Sequence, residues 1–205
     1  MPRSTLHVLA GPNGAGKTTL YETAVKAFTA GVEFINADRL AFDHFGHLAT
    51  TAQESETGQH LAEARRSDLM SARRSLVTES TFSHPSKLDL VREAKSAGYR
   101  VVIYHVNVSD PDLAVLRVGA RVKEGGHAVP EAKIRERYLR NQALIREAVR
   151  IADRAYVFDN SELDRPHRRI LSFMDGRVND AVEPLPAWAA VLYAAELTLL
   201  GPQSA

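Results

Sequence analysis

The sequence of 205 residues contains no cysteine, which excludes disulfides, thiolate metal ligands and a cysteine nucleophile. It also contains no apolar run near the roughly 20 residues that a membrane-spanning helix needs. Its formal net charge is +1, far from the strongly basic balance that is typical of nucleic-acid-binding proteins. We therefore expect a protein that uses neither a membrane nor nucleic acid as a partner.

The residues that are present fit one α/β domain spanning residues 1–205. Hydrophobic residues make up 44% of the sequence and charged residues 25%, which is the balance of a globular protein with a sizeable core. The first apolar segment begins at Leu6, and no signal-peptide pattern precedes it. Together with the lack of cysteine, this predicts a cytoplasmic protein.

A complete G-x-x-x-x-G-K-[ST] loop follows the apolar run 6–10 directly. The residues of the loop are Gly11, Pro12, Asn13, Gly14, Ala15, Gly16, Lys17, Thr18 and Thr19. In such a loop, backbone N–H groups and the positive end of the following helix surround the phosphates of a nucleoside triphosphate. Lys17 is expected to neutralise the β- and γ-phosphates, and Thr18 to hold Mg²⁺. The motif therefore predicts ATP and Mg²⁺ as cofactors.

Apolar strand patterns alternate with helical patterns along the chain. The predicted strands are 6–10, 33–36, 75–79, 100–106 and 155–159, and the predicted helices are 18–29, 41–74 with a loop near Gly46, 85–97, 111–123 and 130–152. This alternation predicts a three-layer P-loop kinase fold, with a mostly parallel five-stranded sheet flanked by helices. A C-terminal hairpin that turns at Asp175-Gly176, followed by an apolar helix, is expected over about 165–200.

A glycine-containing loop separates the two predicted helices in the middle of the chain, and arginines flank it on both sides. We expect a helical lid over about 117–140, in which guanidinium groups close over the phosphates. The candidate arginines are Arg117, Arg121, Arg135 and Arg137. Each of them fits a solvated helix face equally well. His127 lies in the loop, where a lone histidine is more often structural than catalytic.

Three acidic residues end predicted strands, at the sheet edge where ligands of parallel sheets bind. Asp38 is a candidate base for a substrate hydroxyl, or an N-cap of the next helix. Glu79, followed by Thr81, suits a polyhydroxylated substrate or a Mg²⁺-bound water, or makes only turn hydrogen bonds. Asp159 ends a strand that resembles Walker B, although its position predicts that the next residue, Asn160, borders the nucleotide base.

With these motifs assembled, the chain resembles the zeta toxin family of P-loop kinases from about residue 6 to residue 161. The matching segments are Gly-Pro-Asn-Gly-Ala-Gly-Lys-Thr-Thr at 11–19, Ile-Asn-Ala-Asp at 35–38, Thr-Glu-Ser-Thr-Phe-Ser at 78–83, Gly-Gly-His-Ala-Val-Pro at 125–130, Ile-Arg-Glu-Arg-Tyr at 134–138 and Asp-Asn-Ser at 159–161. Members of this family phosphorylate UDP-activated amino sugars such as UDP-N-acetylglucosamine. The resemblance implies the same activity here.

The resemblance also implies roles for individual residues. Asp38 would be the base, Glu79 and Thr81 would contact the substrate, and Arg121 and Arg135 would grip the triphosphate. In addition to these residues, we expect Arg39 to bind the substrate, and we expect Arg117 and Asn160 to bind ATP.

Other functions remain open. In one alternative, the chain is a kinase whose acceptor is a different sugar, an antibiotic hydroxyl or a nucleotide precursor. In another, the chain is a nucleotide-binding regulatory module controlled by an antitoxin-like partner. A transporter-type ATPase lacks support, because neither a Leu-Ser-Gly-Gly-Gln signature nor a strand ending in Asp-Glu is present. A nucleic-acid kinase is disfavoured by the near-neutral charge.

Overall fold

A computed structural model of the chain describes residues 3–123 and 128–199, and these contain one seven-stranded sheet. The strands are β1 Thr5–Ala10, β2 Glu33–Ile35, β3 Leu76–Ser80, β4 Arg100–Asn107, β5 Arg154–Asp159, β6 Arg168–Met174 and β7 Arg177–Ala181. Their order across the sheet is β2-β3-β1-β4-β5-β6-β7. The first five are parallel, whereas β6 pairs antiparallel with β5 and with β7.

The prediction of five strands was therefore wrong in number, because the C-terminal hairpin extends the same sheet. An unpaired edge of β5 would leave a row of backbone N–H and C=O groups without partners, and β6 satisfies them. The hairpin turn itself is where the sequence placed it. Asp175 and Gly176 have φ angles of 48° and 74°, the two positive values that a tight two-residue hairpin turn requires.

Helices connect the strands. Their bounds are α1 Lys17–Leu20, a π-helical stretch Tyr21–Val25, α2 Lys26–Phe28, α3 Ala37–Phe45, α4 Ala52–Ser71, α5 Ser86–Ser96, α6 Pro111–Lys123, α7 Glu131–Ile151, α8 Ala187–Leu192 and α9 Ala194–Thr198. The predicted C-terminal helix is broken at Tyr193, whose buried hydroxyl lies 2.7 Å from Nδ1 of His105. Residues 124–127 of the predicted lid, with His127, and residue 200 lie outside the described residues.

Alternate residues of the central strands enter two different apolar clusters. Leu6 and Val8 of β1 belong to one cluster, and Leu9 of the same strand belongs to the other. Because side chains of a strand alternate between the faces of the sheet, both faces are covered, as the three-layer prediction requires. Within residues 3–123 and 128–199, no helix combines the length and apolarity that crossing a membrane demands.

Side-chain caps fix the starts of the two helices that follow β2. Asn36 accepts a hydrogen bond from the N–H of Arg39 and is the N-cap of α3. Thr51 and Glu54 form a reciprocal capping box at the start of α4. Asn and Thr are favoured at N-caps because their side chains satisfy free helical N–H groups. Consequently α3 begins at Ala37, four residues before the predicted start.

Candidate functional site

A cavity of about 690 Å³ lies where β1 and β3 end and the P-loop begins. Its walls come from the P-loop, the start of α3, one side of α4, the segment after β3, the start of α5, and the facing sides of α6 and α7. The polar residues that matter below are Lys17, Asp38, Arg66, Glu79, Thr81, Lys87, Arg121, Lys133 and Arg137. This position, outside the carboxyl ends of parallel strands, is where ligands of such sheets bind. The volume is within the range of small-molecule sites.

Two P-loop glycines are required by close backbone contacts. A Cβ atom at Gly11 would lie 2.0 Å from the carbonyl oxygen of Val106, and one at Gly14 would lie 2.6 Å from that of Ala114. Neither distance is possible, so any larger residue would displace the loop. The loop is thus pressed against β4 and α6.

Lys17 is the most buried cation at the cavity, with 6% of its side chain exposed. Its Nζ donates a 3.0 Å hydrogen bond to the carbonyl oxygen of Pro12 and lies 3.8 Å from Oε1 of Glu79. Burial lowers the pKa of Lys17, while the carboxylates of Glu79 and Asp38 counteract that decrease. The ammonium group is therefore held inside the loop, close to two acidic side chains.

Glu79 connects the P-loop to the start of α3. Its Oε2 accepts hydrogen bonds from the hydroxyl of Thr18 at 2.8 Å and from Nδ2 of Asn36 at 3.1 Å. No role was predicted for Asn36, which both orients Glu79 and caps α3. Its neighbour Asp38 belongs to a matched motif, and an Asn after an apolar strand is a typical cap, so the signal was present.

The sequence suggested that Asp38 ends a strand, and the structure shows that it does not. Since β2 ends at Ile35 and Asn36 takes the cap position, Asp38 lies in the first turn of α3. It is exposed to the cavity and makes no hydrogen bond or ion pair with the described residues. The N-cap alternative for this residue is therefore wrong. A carboxylate without a protein partner, close enough to Lys17 to raise the pKa of that group, is available to a substrate.

Arg39 is directed elsewhere. Its guanidinium forms a 2.6 Å ion pair with Glu22 and lies 5.1 Å from the centre of the Phe34 ring. It does not line the 690 Å³ cavity. By contrast, the expected substrate residue Thr81 lines that cavity, and its hydroxyl lies 3.3 Å from that of Ser83.

The structure separates the arginines of the predicted lid. Arg121 of α6 and Arg137 of α7 line the cavity. Arg135 instead forms ion pairs with Asp112 at 2.6 Å and with Glu131 at 2.8 Å. Residues two positions apart lie on nearly opposite sides of a helix, so Arg135 and Arg137 cannot both face the phosphates. The structure does not bring Arg135, the residue implied by the resemblance, to the cavity.

The segment after β5 also contacts the P-loop. Asn160 donates a 2.8 Å hydrogen bond from Nδ2 to the carbonyl oxygen of Ala15. Its Oδ1 accepts from the N–H of His167, whose Nε2 lies 2.9 Å from the carbonyl oxygen of Gly16. Asn160 therefore contacts the P-loop directly, and its predicted position beside the nucleotide base stays a prediction. His167 was missed, because its six-residue separation from the motif gives no local signal.

Two other candidates of the sequence have defined partners. Arg117 donates a 3.4 Å hydrogen bond to the carbonyl oxygen of Ser161, and thereby connects the lid helix α6 to the segment after β5. Asp159 is buried and accepts hydrogen bonds from Nε1 of Trp188 at 3.0 Å and from the hydroxyl of Ser161 at 2.6 Å. Asp159 thus anchors helix α8 and does not line the cavity.

The cavity carries an excess of positive charge. The described cations in its lining are Lys17, Arg66, Lys87, Arg121, Lys133 and Arg137, against the carboxylates Asp38 and Glu79. Such a surplus favours anionic ligands. Arg66 and Lys87 were not predicted to be site residues. For Arg66, the sequence does contain an indication. This residue occupies a buried position of a helix, between Ala62 and Leu69, where an apolar residue is expected.

Comparison with solved structures identifies relatives in fold. A chain of the AvrRxo1-ORF1:AvrRxo1-ORF2 complex crystallised with sulphate ions superposes with a TM-score of 0.68 at 19% identity. The match covers 95% of the present chain and 63% of that chain. A second is described as the PezAT chromosomal toxin-antitoxin system of Streptococcus pneumoniae, with a TM-score of 0.60, 18% identity, and coverage of 84% and 72%. These likenesses establish the α/β P-loop kinase fold.

Sequence comparison identifies the family. An uncharacterised protein of Haemophilus influenzae is 33% identical over 60 residues, which is 29% of the present chain and 43% of that protein. The chain thus spans less than two thirds of that relative and of the AvrRxo1 complex chain. The family model described as "Zeta toxin" matches residues 2–165, and the chain therefore belongs to the zeta toxin family.

Proposed function

We propose that this chain is an ATP-dependent kinase that transfers the γ-phosphoryl group of ATP to a hydroxyl of a small molecule. The observation that carries the proposal is the placement of Lys17, Asp38 and Glu79 on one cavity beside the P-loop. A solved complex of similar fold, AvrRxo1-ORF1:-ORF2, was crystallised with ATP, which supports the nucleotide. Its TM-score is 0.68 at 20% identity.

In this proposal the P-loop and Lys17 bind the β- and γ-phosphates. The hydroxyl of Thr18 and the carboxylate of Glu79, 2.8 Å apart, are oxygen donors of the kind that Mg²⁺ prefers. These two residues would hold Mg²⁺, with Glu79 acting through water, and the bound ion neutralises phosphate charge. The hydrogen bond from Asn36 keeps Glu79 directed at Thr18.

The transfer step uses Asp38 and two arginines. The acceptor oxygen forms a bond to the γ-phosphorus as the bond to the ADP oxygen breaks, and the hydroxyl proton passes to the carboxylate of Asp38. Arg121 and Arg137 line the same cavity and lower the pKa of Lys17 through their positive charge, so both lie near the lysine that would bind the phosphates. They would stabilise the charge that develops on the transferred group.

For the acceptor we propose a UDP-activated amino sugar such as UDP-N-acetylglucosamine. Membership of the zeta toxin family supports this choice, and so does the surplus of cavity cations, because the diphosphate of a sugar nucleotide is anionic. Thr81, on the cavity wall, would contact this acceptor. Another hydroxylated acceptor is the alternative.

We also propose a cytoplasmic location, where ATP and UDP-activated sugars are both available. A further proposal is an antitoxin-like protein partner. The second suggestion follows from the relatives, one of which is described as a toxin-antitoxin system. Coexpression of the chain with the product of a neighbouring gene tests it directly. Copurification with loss of kinase activity supports the partner, whereas copurification failure in every tested pair contradicts it.

The proposed activity is tested by incubating the purified chain with ATP, Mg²⁺ and UDP-N-acetylglucosamine, and by measuring the mass of the sugar nucleotide. We expect one added phosphate, and none with Lys17→Ala. If other hydroxylated compounds gain a phosphate and UDP-N-acetylglucosamine does not, the chain is a kinase with a different acceptor. If ATP is hydrolysed and no tested compound gains a phosphate, the result would favour the alternative of a nucleotide-binding regulatory module.

A further inference from the structure

The far wall of the cavity contains a buried arginine without a partner. Arg66 of α4 lines the cavity and has only 8% of its surface exposed. Its guanidinium makes no hydrogen bond or ion pair with any residue in 3–123 or 128–199. Most other arginines of the described segments are exposed or ion-paired, as are Arg65 with Glu33 and Arg92 with Asp89.

A buried charge without a partner is costly, because the protein does not replace the lost hydration. The carboxylate of Glu63 is the one acidic side chain that offsets the desolvation of Arg66, and it is exposed. Lys87 of α5 also lines the cavity, and the charge of Arg66 adds to the unfavourable burial of its ammonium group. Two cations that repel each other therefore face one cavity, and the exposed carboxylate of Glu63 is the one acidic group of the described residues that offsets the burial of either of them.

This pair lies apart from the groups around the P-loop. The cations whose charge acts on Lys17 are Arg121 and Arg137, and neither Arg66 nor Lys87 is among them. The pair belongs to α4 and α5, whereas the arginines near Lys17 belong to α6 and α7. We therefore expect the phosphates of an ATP molecule bound by the P-loop to be neutralised by Lys17, Arg121 and Arg137, and not by Arg66 and Lys87.

We propose that Arg66 and Lys87 form an anion subsite that binds a phosphate or diphosphate group carried by the acceptor. The assignment rests on the proposed kinase function. Arginine presents a fork of N–H donors that matches phosphate oxygens, and a neighbouring lysine adds a second positive charge. An acceptor held by this group at the far wall would have its hydroxyl directed at Asp38 and the γ-phosphate. The subsite selects anionic acceptors over neutral sugars.

Calorimetric titration of inorganic pyrophosphate tests the subsite. The chain is first saturated with Mg²⁺ and a non-hydrolysable ATP analogue, which occupies the P-loop. We expect one pyrophosphate to bind per chain, and at least about tenfold weaker binding in Arg66→Met and Lys87→Met, since each loses charge-assisted hydrogen bonds. Arg92→Met, an exposed substitution on α5, is the control and should bind like the wild type. Absence of binding in the wild type, or equal binding in Arg66→Met, overturns the proposal.

A melting measurement separates this role from a structural one. Without pyrophosphate, Arg66→Met should melt at the same temperature as the wild type or higher, because a buried unpaired charge is replaced by an apolar side chain. A clear decrease would mean that Arg66 supports the fold instead, and would overturn the subsite. The two proposals fail separately. If pyrophosphate binding depends on Arg66 but UDP-N-acetylglucosamine is not phosphorylated, the proposed acceptor is contradicted and the proposed subsite is supported.

Discussion

The hydroxyl of Thr18 donates a 2.8 Å hydrogen bond to Oε2 of Glu79, which joins the P-loop to the end of β3. Glu79 was predicted to contact either the substrate or a Mg²⁺-bound water, and it lies beside the threonine expected at Mg²⁺. Asn36 contacts the same carboxylate oxygen and so fixes its direction. Glu79 therefore lies at the P-loop end of the cavity, and in the proposed function it would orient a metal-bound water.

Glu79→Gln should raise the Mg²⁺ concentration needed for half-maximal activity by about 10-fold or more, because residues that orient metal ligands contribute that much to metal affinity. The KM for the acceptor should change less than about 2-fold. Magnesium titration of initial rates measures the effect, with the exposed substitution Glu56→Gln as control. A higher acceptor KM with an unaltered Mg²⁺ requirement would instead make Glu79 a substrate contact.

Asp38→Asn should retain ATP binding and lose phosphoryl transfer. A positioned general base contributes about 10²–10⁴ in rate, and the amide cannot accept the hydroxyl proton. Equilibrium binding of a fluorescent ATP analogue and rapid-quench measurement of transfer separate the two properties. Asp43→Asn, on the exposed side of α3, is the matched control. Normal turnover in Asp38→Asn would show that the base is another group.

The two arginines of α7 give a paired test. Arg137→Met should lower kcat by about 10³-fold, the effect reported for arginines that stabilise the phosphoryl transition state, with little change in ATP affinity. Arg135→Met should leave kcat within about 2-fold, because its ion pairs with Asp112 and Glu131 are exposed and contribute little. Steady-state kinetics of both variants decides between them. The reverse ranking would mean that α7 rotates when ligands bind.

His167 positions the P-loop through the carbonyl oxygen of Gly16. Because a carbonyl accepts, Nε2 must carry the hydrogen. His167→Ala should raise the KM for ATP by about 10-fold, with a smaller change in kcat, since the loop loses a contact that holds its N–H groups toward the phosphates. His167→Gln should restore part of this loss, because its amide can donate to the same oxygen. Equal KM values for the two variants would contradict a positioning role.

The sequence predicted the parts of this molecule that depend on local patterns. The P-loop is a contiguous motif, the Asp175-Gly176 turn needs two residues with positive φ, and the five parallel strands are apolar runs between helices. Each of these is determined over a few neighbouring residues. Their positions in the structure agree with the prediction to within one residue at the ends of the strands.

The parts that failed depend on contacts between distant segments. The attachment of the hairpin to β5 is a property of the sheet edge, which no local pattern encodes. Which of Arg135 and Arg137 lines the cavity depends on the rotation of α7 about its axis. The position of Arg66 beside Lys87 becomes visible only when α4 and α5 are placed on one cavity.

Acidification should destabilise the fold through a buried histidine. Burial lowers the pKa of His105 to about 3, and its Nδ1 lies 2.7 Å from the hydroxyl of Tyr193. An unfolded histidine titrates near pH 6.5, so protonation favours the unfolded chain as the pH falls below about 6.5. Neutral His105 therefore contributes stability that is complete above that pH and lost toward pH 3, at about 1.4 kcal/mol per pH unit.

Urea unfolding between about pH 6 and pH 4 measures this dependence. His105→Gln should reduce the slope of the unfolding free energy against pH by about 1.4 kcal/mol per unit. The exposed substitution His60→Gln should leave the slope unchanged. An unaltered slope in His105→Gln would assign the acid sensitivity to other groups.

The destination of the γ-phosphate tests the central claim most directly. Single-turnover reactions with ATP labelled at the γ-phosphate, run with UDP-N-acetylglucosamine and with a panel of other hydroxylated compounds, show whether the label enters an organic product or inorganic phosphate. A kinase that activates the acceptor through Asp38 should place the label on one organic compound, and Asp38→Asn should abolish that product. Label that appears only in inorganic phosphate, whatever compound is present, would contradict the assignment of this chain as a small-molecule kinase.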